Sequence, residues 1–299
     1  MKQNKCLTFE FIYDSIFGIM KTDFLTDDSF VALEKLAFAA IQRIFPCEEN
    51  LLKKIPTEKI ISAFQKDIIS QEQPFLLRVS GQSGSGKSSQ LVPAIQDVLK
   101  GNNYLKINVG AFAPFHPRYD EWQKNDPDHM RENTNGFALR ALVLFYKHCI
   151  LNRVNLVFDM TLLEPEVDLY LMTLAKKMGY KIQLHVLCVP RKISDYFIAQ
   201  RQKLTGRFVK PSSSSYFFTA LAPCLKALTK SRIFDKNDNL VLWSHILTNP
   251  IQITHLNNPA VLRKLNRFQQ KNNTRVKNPK ALLKIKKRWM KSICKGVLK

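Results

Sequence analysis

The chain has 299 residues, of which 45% are hydrophobic and 23% charged, the composition of a globular protein rather than a disordered one. Its net charge is +22, from 46 Lys+Arg against 24 Asp+Glu. The excess is uneven: residues 239–299 hold 14 Lys/Arg and no acid, which leaves 32 basic and 24 acidic residues, +8, for residues 1–238.

No uninterrupted apolar run is long enough to cross a bilayer, and Glu10 and Asp14 break what would be the apolar centre of a leader peptide. Cys6, Cys47, Cys149, Cys188, Cys224 and Cys294 are widely spaced with no CxxC pair, which reads as free thiols in a reducing, cytoplasmic compartment with neither disulfides nor a zinc site. The six histidines show no metal-ligand spacing.

In chain order, residues 1–70 carry helical periodicity. Phe30, Leu33, Leu36, Ala37, Ala40, Ile41 and Ile44 form one apolar stripe over 29–44, and 59–69 repeats the pattern, so a helical N-terminal cap is expected. Strand and helix signals then alternate. Strands are expected at 75–80, 104–109, 154–158 and 182–189, with helices near 88–99, 136–151, 165–178 and 192–204 between them. A weaker strand, 240–244, closes the series. Ser212–Ser215 reads as a solvated loop. The alternation predicts an α/β three-layer sandwich on a mostly parallel sheet. The expected division is a cap over 1–70, an α/β domain over 71–247 and a basic helical tail over 248–299.

Gly81-Gln82-Ser83-Gly84-Ser85-Gly86-Lys87-Ser88 fits GxxxxGK[ST], with a strand before it and a helical pattern after it. Glycines let successive backbone N–H groups turn inward around phosphates, and a helix start faces them with its positive dipole end. Gly81 through Ser89 are the expected ATP-binding residues, with Lys87 on the β/γ-phosphates and the Ser88 hydroxyl on Mg²⁺. Asp159 ends an apolar strand, where an acid beside the phosphate loop holds the Mg²⁺ shell; capping of the next helix is its structural alternative. Arg201 on a helix and Arg207 in the following loop suit a lid that closes cations over the transferring phosphate, or simply a solvated surface.

From about residue 75 to 228 the chain resembles the zeta-toxin family, P-loop kinases of toxin–antitoxin systems that phosphorylate UDP-N-acetylglucosamine on a sugar hydroxyl. The resemblance rests on the loop at Gly81–Ser88, on Phe112…His116-Pro117, on Asp159-Met160-Thr161, on Val189-Pro190 through Arg201, and on Gly206-Arg207-Phe208-Val209. It implies that Arg201 and Arg207 clamp phosphate, that Asp159 lies at the metal, and that Thr161 contacts the substrate, with Phe112 and His116 beside the sugar-nucleotide pocket. It also implies ATP and Mg²⁺ as cofactors, a nucleotide sugar or other anionic small molecule as substrate, and an antitoxin as partner.

The family pattern breaks at Gly110, which occupies the position of the family's catalytic base. The position of a second family acid falls near Val143, and no Asp or Glu occurs between Glu132 and Asp159. Three readings follow. Asp159 or a loop acid (Asp120, Glu121, Glu132) substitutes; the acceptor is a different one; or the chain is a pseudokinase that binds nucleotide and acts through its tail. In the tail, Leu282, Ile285, Trp289, Ile293 and Val297 recur at helical spacing among lysines and arginines, a basic amphipathic pattern. It suits docking on the body, an anionic membrane surface, nucleic acid or an acidic antitoxin.

Overall fold

The computed structural model describes residues 27–88, 99, 101–127, 129–205, 211–231, 233–234, 238–244 and 250–253. The basic tail from residue 254, the segment before Asp27, most of the helix expected at 88–99, and the loop carrying Arg207 lie outside the described residues.

Helices α1 (Asp27–Ile44), α2 (Glu49–Leu52) and α3 (Thr57–Phe64) precede the first strand. The chain continues through β1 (Phe75–Gly81), β2 (Leu105–Asn108), a 3₁₀ segment Val109–Phe115, α4 (Tyr119–Asn125) and α5 (Met130–Leu151). Then follow β3 (Leu156–Asp159), α6 (Pro165–Lys177), β4 (Lys181–Cys188), α7 (Arg191–Thr205), α8 (Pro211–Lys230), β5 (Asn239–Ser244) and β6 (Pro250–Ile253). The sheet order is β2-β3-β1-β4-β5-β6. The first five strands are parallel, as the alternation predicts, and β6 adds antiparallel to the β5 edge. The sheet therefore runs past residue 247, the expected end of the domain.

Alternation within each strand builds two cores. Leu76, Leu156, Phe158, Ile182, Leu184 and Val186 face a large core with α1, α5, α6 and α8. Leu77, Val79, Val157 and Leu187 face the other side with Val189, Ile193 and Leu99. The N-terminal helix belongs to the large core: the α1 stripe of Leu33, Ala37, Ala40 and Ile41 is buried in it. Phe30 stacks on Tyr170 at 5.5 Å, and Glu34 accepts from Lys147 Nζ at 2.8 Å and from the Tyr170 hydroxyl.

The serine run Ser212–Ser215 corrects its expectation: it lies in the first turns of α8, not in a loop. Pro211 starts the helix, where its fixed φ and missing N–H cost nothing. Downstream, Phe218, Leu221, Ala222, Leu225 and Leu228 bury a helical stripe, so packing outweighs the weak helix propensity of serine.

Arg78 of β1 and Asp168 of α6 form a fully buried ion pair. The Arg78 guanidinium also lies 5.2 Å over the Phe158 ring, and Asp168 accepts from the Leu163 N–H at 3.0 Å. Asp168→Ala leaves a buried cation uncompensated, so urea denaturation should show a loss of about 3–5 kcal/mol. Arg78→Met/Asp168→Leu should recover most of it, and a loss no smaller than that of the single variant would refute this account.

His185 sits on the smaller-core face of β4, and burial holds its imidazole down to about 4 from an ordinary 6.5. The folded chain keeps this ring neutral while the unfolded chain protonates it near pH 6.5. Its contribution is complete above that pH and is lost as the pH falls towards 4, on the order of 3 kcal/mol. Stability measured from pH 7 to 4 should fall less steeply in His185→Gln than in the wild type.

Candidate functional site

β1, β2 and β3 run in parallel, so Gly81, Asn108 and Asp159 come together at the carboxyl edge of the sheet, where open α/β sheets hold ligands. A cavity of about 680 Å³ opens there. Its floor is the loop Ser83–Ser88. Its walls are Lys106 and Asn108 of β2 with Val109 and Gly110 of the 3₁₀ segment, Asp159 at the end of β3 with Met160 and Thr161 after it, and Phe197, Gln200, Arg201 and Leu204 of α7.

Gly81, Gly84 and Gly86 all have positive φ, and two of them are pressed against neighbouring backbone. Gly84 has φ +73, and a Cβ there would lie 2.4 Å from the Ser194 carbonyl of α7. Gly81 has φ +147, and its Cβ would lie 2.6 Å from the Leu187 carbonyl of β4. The loop is thus pressed against α7 and the end of β4, and the Gln82 amide donates to the Val189 carbonyl. Lys87 Nζ donates to the Gly81 carbonyl at 2.7 Å and the Gln82 carbonyl at 3.3 Å. The Ser88 hydroxyl donates to Asp159 Oδ2 at 3.0 Å.

That contact brings the two expected metal-side residues together. Serine and carboxylate oxygens are hard donors, and Mg²⁺ commonly takes one or two such protein ligands with water and phosphate completing its shell. The residues therefore fit the ion, although among the described residues no group of three His, Cys, Asp or Glu forms a cage. The glycine loop on the cavity floor and the cavity volume likewise fit a nucleotide.

Thr161 and Arg201 line the cavity; Ser89 and Arg207 lie outside the described residues. Phe112 and His116 do not reach the cavity. Phe112 is fully buried between Phe64 and Phe145, with ring centroids at 5.7 and 5.5 Å. His116 is buried against Trp122 and Phe137, its Nδ1 accepts from the Arg118 N–H at 3.0 Å, and burial, then the Arg118 charge, lower its pKa. Both are packed at the 3₁₀ segment that carries Gly110 and anchor it.

Asp120, Glu121 and Glu132 do not line the cavity either, and Glu121 is paired with Arg118 at 2.7 Å. Val143 is buried in α5. Asp159 is the one carboxylate of the cavity among the described residues. Sequence reasoning missed Lys106, Asn108 and Gln200. Two signals carried them: the alternation of β2 puts Lys106 and Asn108 on one face, and the spacing Phe197, Gln200, Arg201, Leu204 is one face of α7.

A mostly parallel sheet with a glycine-turned loop, its lysine, and a serine–aspartate contact at the carboxyl edge has the architecture of the P-loop α/β class. The zeta toxin family profile matches residues 61–248, more than half of the chain, so the chain belongs to that family. It is 28% identical over 125 residues to Toxin PezT of Streptococcus pneumoniae, a match covering 42% of this chain and 49% of that one. The chain spans about half the length of the curated relatives it matches. In fold it resembles a structure from the PezAT chromosomal toxin–antitoxin system of Streptococcus pneumoniae. The TM-score is 0.56 at 18% identity, over 84% of this chain and 99% of that one. A crystal structure of AvrRxo1-ORF1:-ORF2 with ATP matches with a TM-score of 0.51 at 16% identity, over 74% of this chain and 73% of that one.

Gly84→Ala adds a Cβ where there is neither room nor a favourable φ. Equilibrium titration should show ATP affinity falling by about tenfold or more, with about 1–3 kcal/mol of lost stability. Unchanged affinity would mean the loop does not need this conformation.

Proposed function

We propose that the chain is an ATP- and Mg²⁺-dependent phosphotransferase of the zeta-toxin type. It moves the ATP γ-phosphate onto a nucleotide sugar or a related anionic small molecule, as the toxin of a toxin–antitoxin pair. The observation that carries this reading is the 3.0 Å contact of Ser88 with Asp159, on a cavity shared by Lys87 and Arg201. Family membership supports the reaction class, and the net charge of +22 suits polyanionic ligands and an acidic antitoxin.

In this reading the glycine loop directs its N–H groups at the phosphates, and Lys87 exchanges its two carbonyl partners for phosphate oxygens. Mg²⁺ at Ser88 and Asp159 would neutralise phosphate charge. Arg201 is joined by Arg207 in clamping the transferring group, and Thr161 contacts the acceptor. A cytoplasmic site of action goes with the use of ATP; among the described residues, no helix is long and apolar enough to cross a membrane.

The test is the protein with ATP, Mg²⁺ and a panel of nucleotide sugars and sugar or nucleoside phosphates, read as acceptor-dependent ADP. Wild type should turn over, and Lys87→Ala and Arg201→Ala should each lose about 100-fold or more. No acceptor-dependent ADP, with Lys87→Ala indistinguishable from wild type, overturns the reading. Gly110 favours one alternative, a nucleotide-binding pseudokinase acting through its basic tail. That alternative requires ATP binding without turnover and a salt-sensitive interaction lost on removing residues 259–299.

A further inference from the structure

Among the described residues, three cations and one carboxylate line the cavity: Lys87, Lys106 and Arg201 with Asp159. Asp159 is engaged by the Ser88 hydroxyl beside the phosphate loop. The wall formed by β2 and the 3₁₀ segment presents Lys106, Asn108 and Gly110. Leu105 and Ile107 are buried, so the strand turns Lys106 outward, and it makes no hydrogen bond or ion pair with a described residue.

A hydroxyl acceptor must give up its proton as the new P–O bond forms, and a proton acceptor then belongs within hydrogen-bond reach of it. This wall offers an ammonium, a carboxamide and a residue without a side chain. None takes a proton at neutral pH. An oxyanion acceptor has no proton to lose, and a lysine is the right neighbour for it, a compact point charge that binds phosphate.

We propose that the acceptor atom is an oxygen of a phosphate monoester held by Lys106, and that the product is a phosphoanhydride. This rests on the phosphotransferase reading and narrows its acceptor. A lone pair of the acceptor's phosphate oxygen forms the new bond to the γ-phosphorus. The bond from that phosphorus to the bridging oxygen breaks, and the bridging oxygen leaves with the electron pair as part of ADP. Atoms and charge balance with no proton transfer. A phosphate monoester is mostly a dianion near pH 7, with a second pKa of about 6, and answers the lining cations better than a carboxylate does. Gly110 is then not a lost base but the space and the absence of negative charge that a dianion requires.

The experiment uses the full chain with ATP, Mg²⁺ and matched acceptors: a nucleoside and its monophosphate, a hexose and its phosphate, and UDP-N-acetylglucosamine. ADP is measured, and the product linkage is read by phosphorus NMR and mass spectrometry. The expected result is turnover with the phosphate member of a pair only, and a phosphoanhydride product. Lys106→Met should raise KM for that acceptor by roughly 10- to 100-fold, as loss of a charge-assisted hydrogen bond does. Gly110→Asp should slow turnover, since it sets a carboxylate against the dianion. Its Cβ meets only the Asn108 side chain, at 3.1 Å, and Gly110 is exposed, so the fold accommodates it. A product phosphorylated on a sugar hydroxyl, faster turnover in Gly110→Asp, or an unchanged KM in Lys106→Met would overturn this inference and leave the phosphotransferase reading standing. No ADP with any acceptor, with Lys87→Ala identical to wild type, would overturn both.

Discussion

Arg78 and Asp168 meet where neither is touched by solvent, and the geometry of the site follows from that pair. Each charge is tolerable in the core only because the other is there, so β1 and the start of α6 are held in one relative position. Asp168 also accepts the Leu163 N–H. The segment leaving β3 is thereby drawn against β1, where the Ser80 hydroxyl donates to the Met160 carbonyl at 2.8 Å and the Met160 N–H donates to the Val79 carbonyl at 3.2 Å. Asp159, at the junction of β3 and that segment, has little freedom left. It projects beside the end of β1, within reach of Ser88.

A second constraint is steric and acts on the loop from the other side. Gly81 and Gly84 approach backbone carbonyls of β4 and α7 more closely than any side chain permits. Helix α7 is therefore seated directly on the loop, and its Phe197, Gln200, Arg201 and Leu204 face falls on the cavity. The arginine that the family resemblance assigns to phosphate is positioned by packing of the helix, while the carboxylate is positioned by a buried charge. Between them, β2 contributes Lys106 and Asn108 by strand register alone.

The sheet was legible because its strands are short apolar runs set between helical patterns, and the P-loop because its chemistry demands a fixed order of residue types. Lys106 was not legible as a site residue, since a lone lysine in an alternating strand looks like any solvated face until the neighbours of β2 are known. Phe112 and His116 lie off the cavity for the opposite reason. Their motif spacing was right, yet an aromatic ring and a neutral imidazole pack as readily as they bind, and Phe64, Phe145, Trp122 and Phe137 supply the packing. Ser212–Ser215 misled because its polarity signals solvent, whereas the helix there is decided by Phe218 and the apolar residues after it. The antiparallel strand Pro250–Ile253 is four residues long and opens on proline, which suits an edge but gives almost no periodic signal.

The central claim is that the buried pair positions the nucleotide site as well as stabilising the fold. The direct measurement is Mg·ATP affinity in Arg78→Met/Asp168→Leu, compared with wild type at a temperature where both are fully folded. The account predicts affinity weaker by about tenfold or more, because an apolar pair fills the space without accepting the Leu163 N–H or donating to the Ser80 hydroxyl. Affinity equal to that of wild type would contradict it and would show that the loop and Asp159 find their places without the pair.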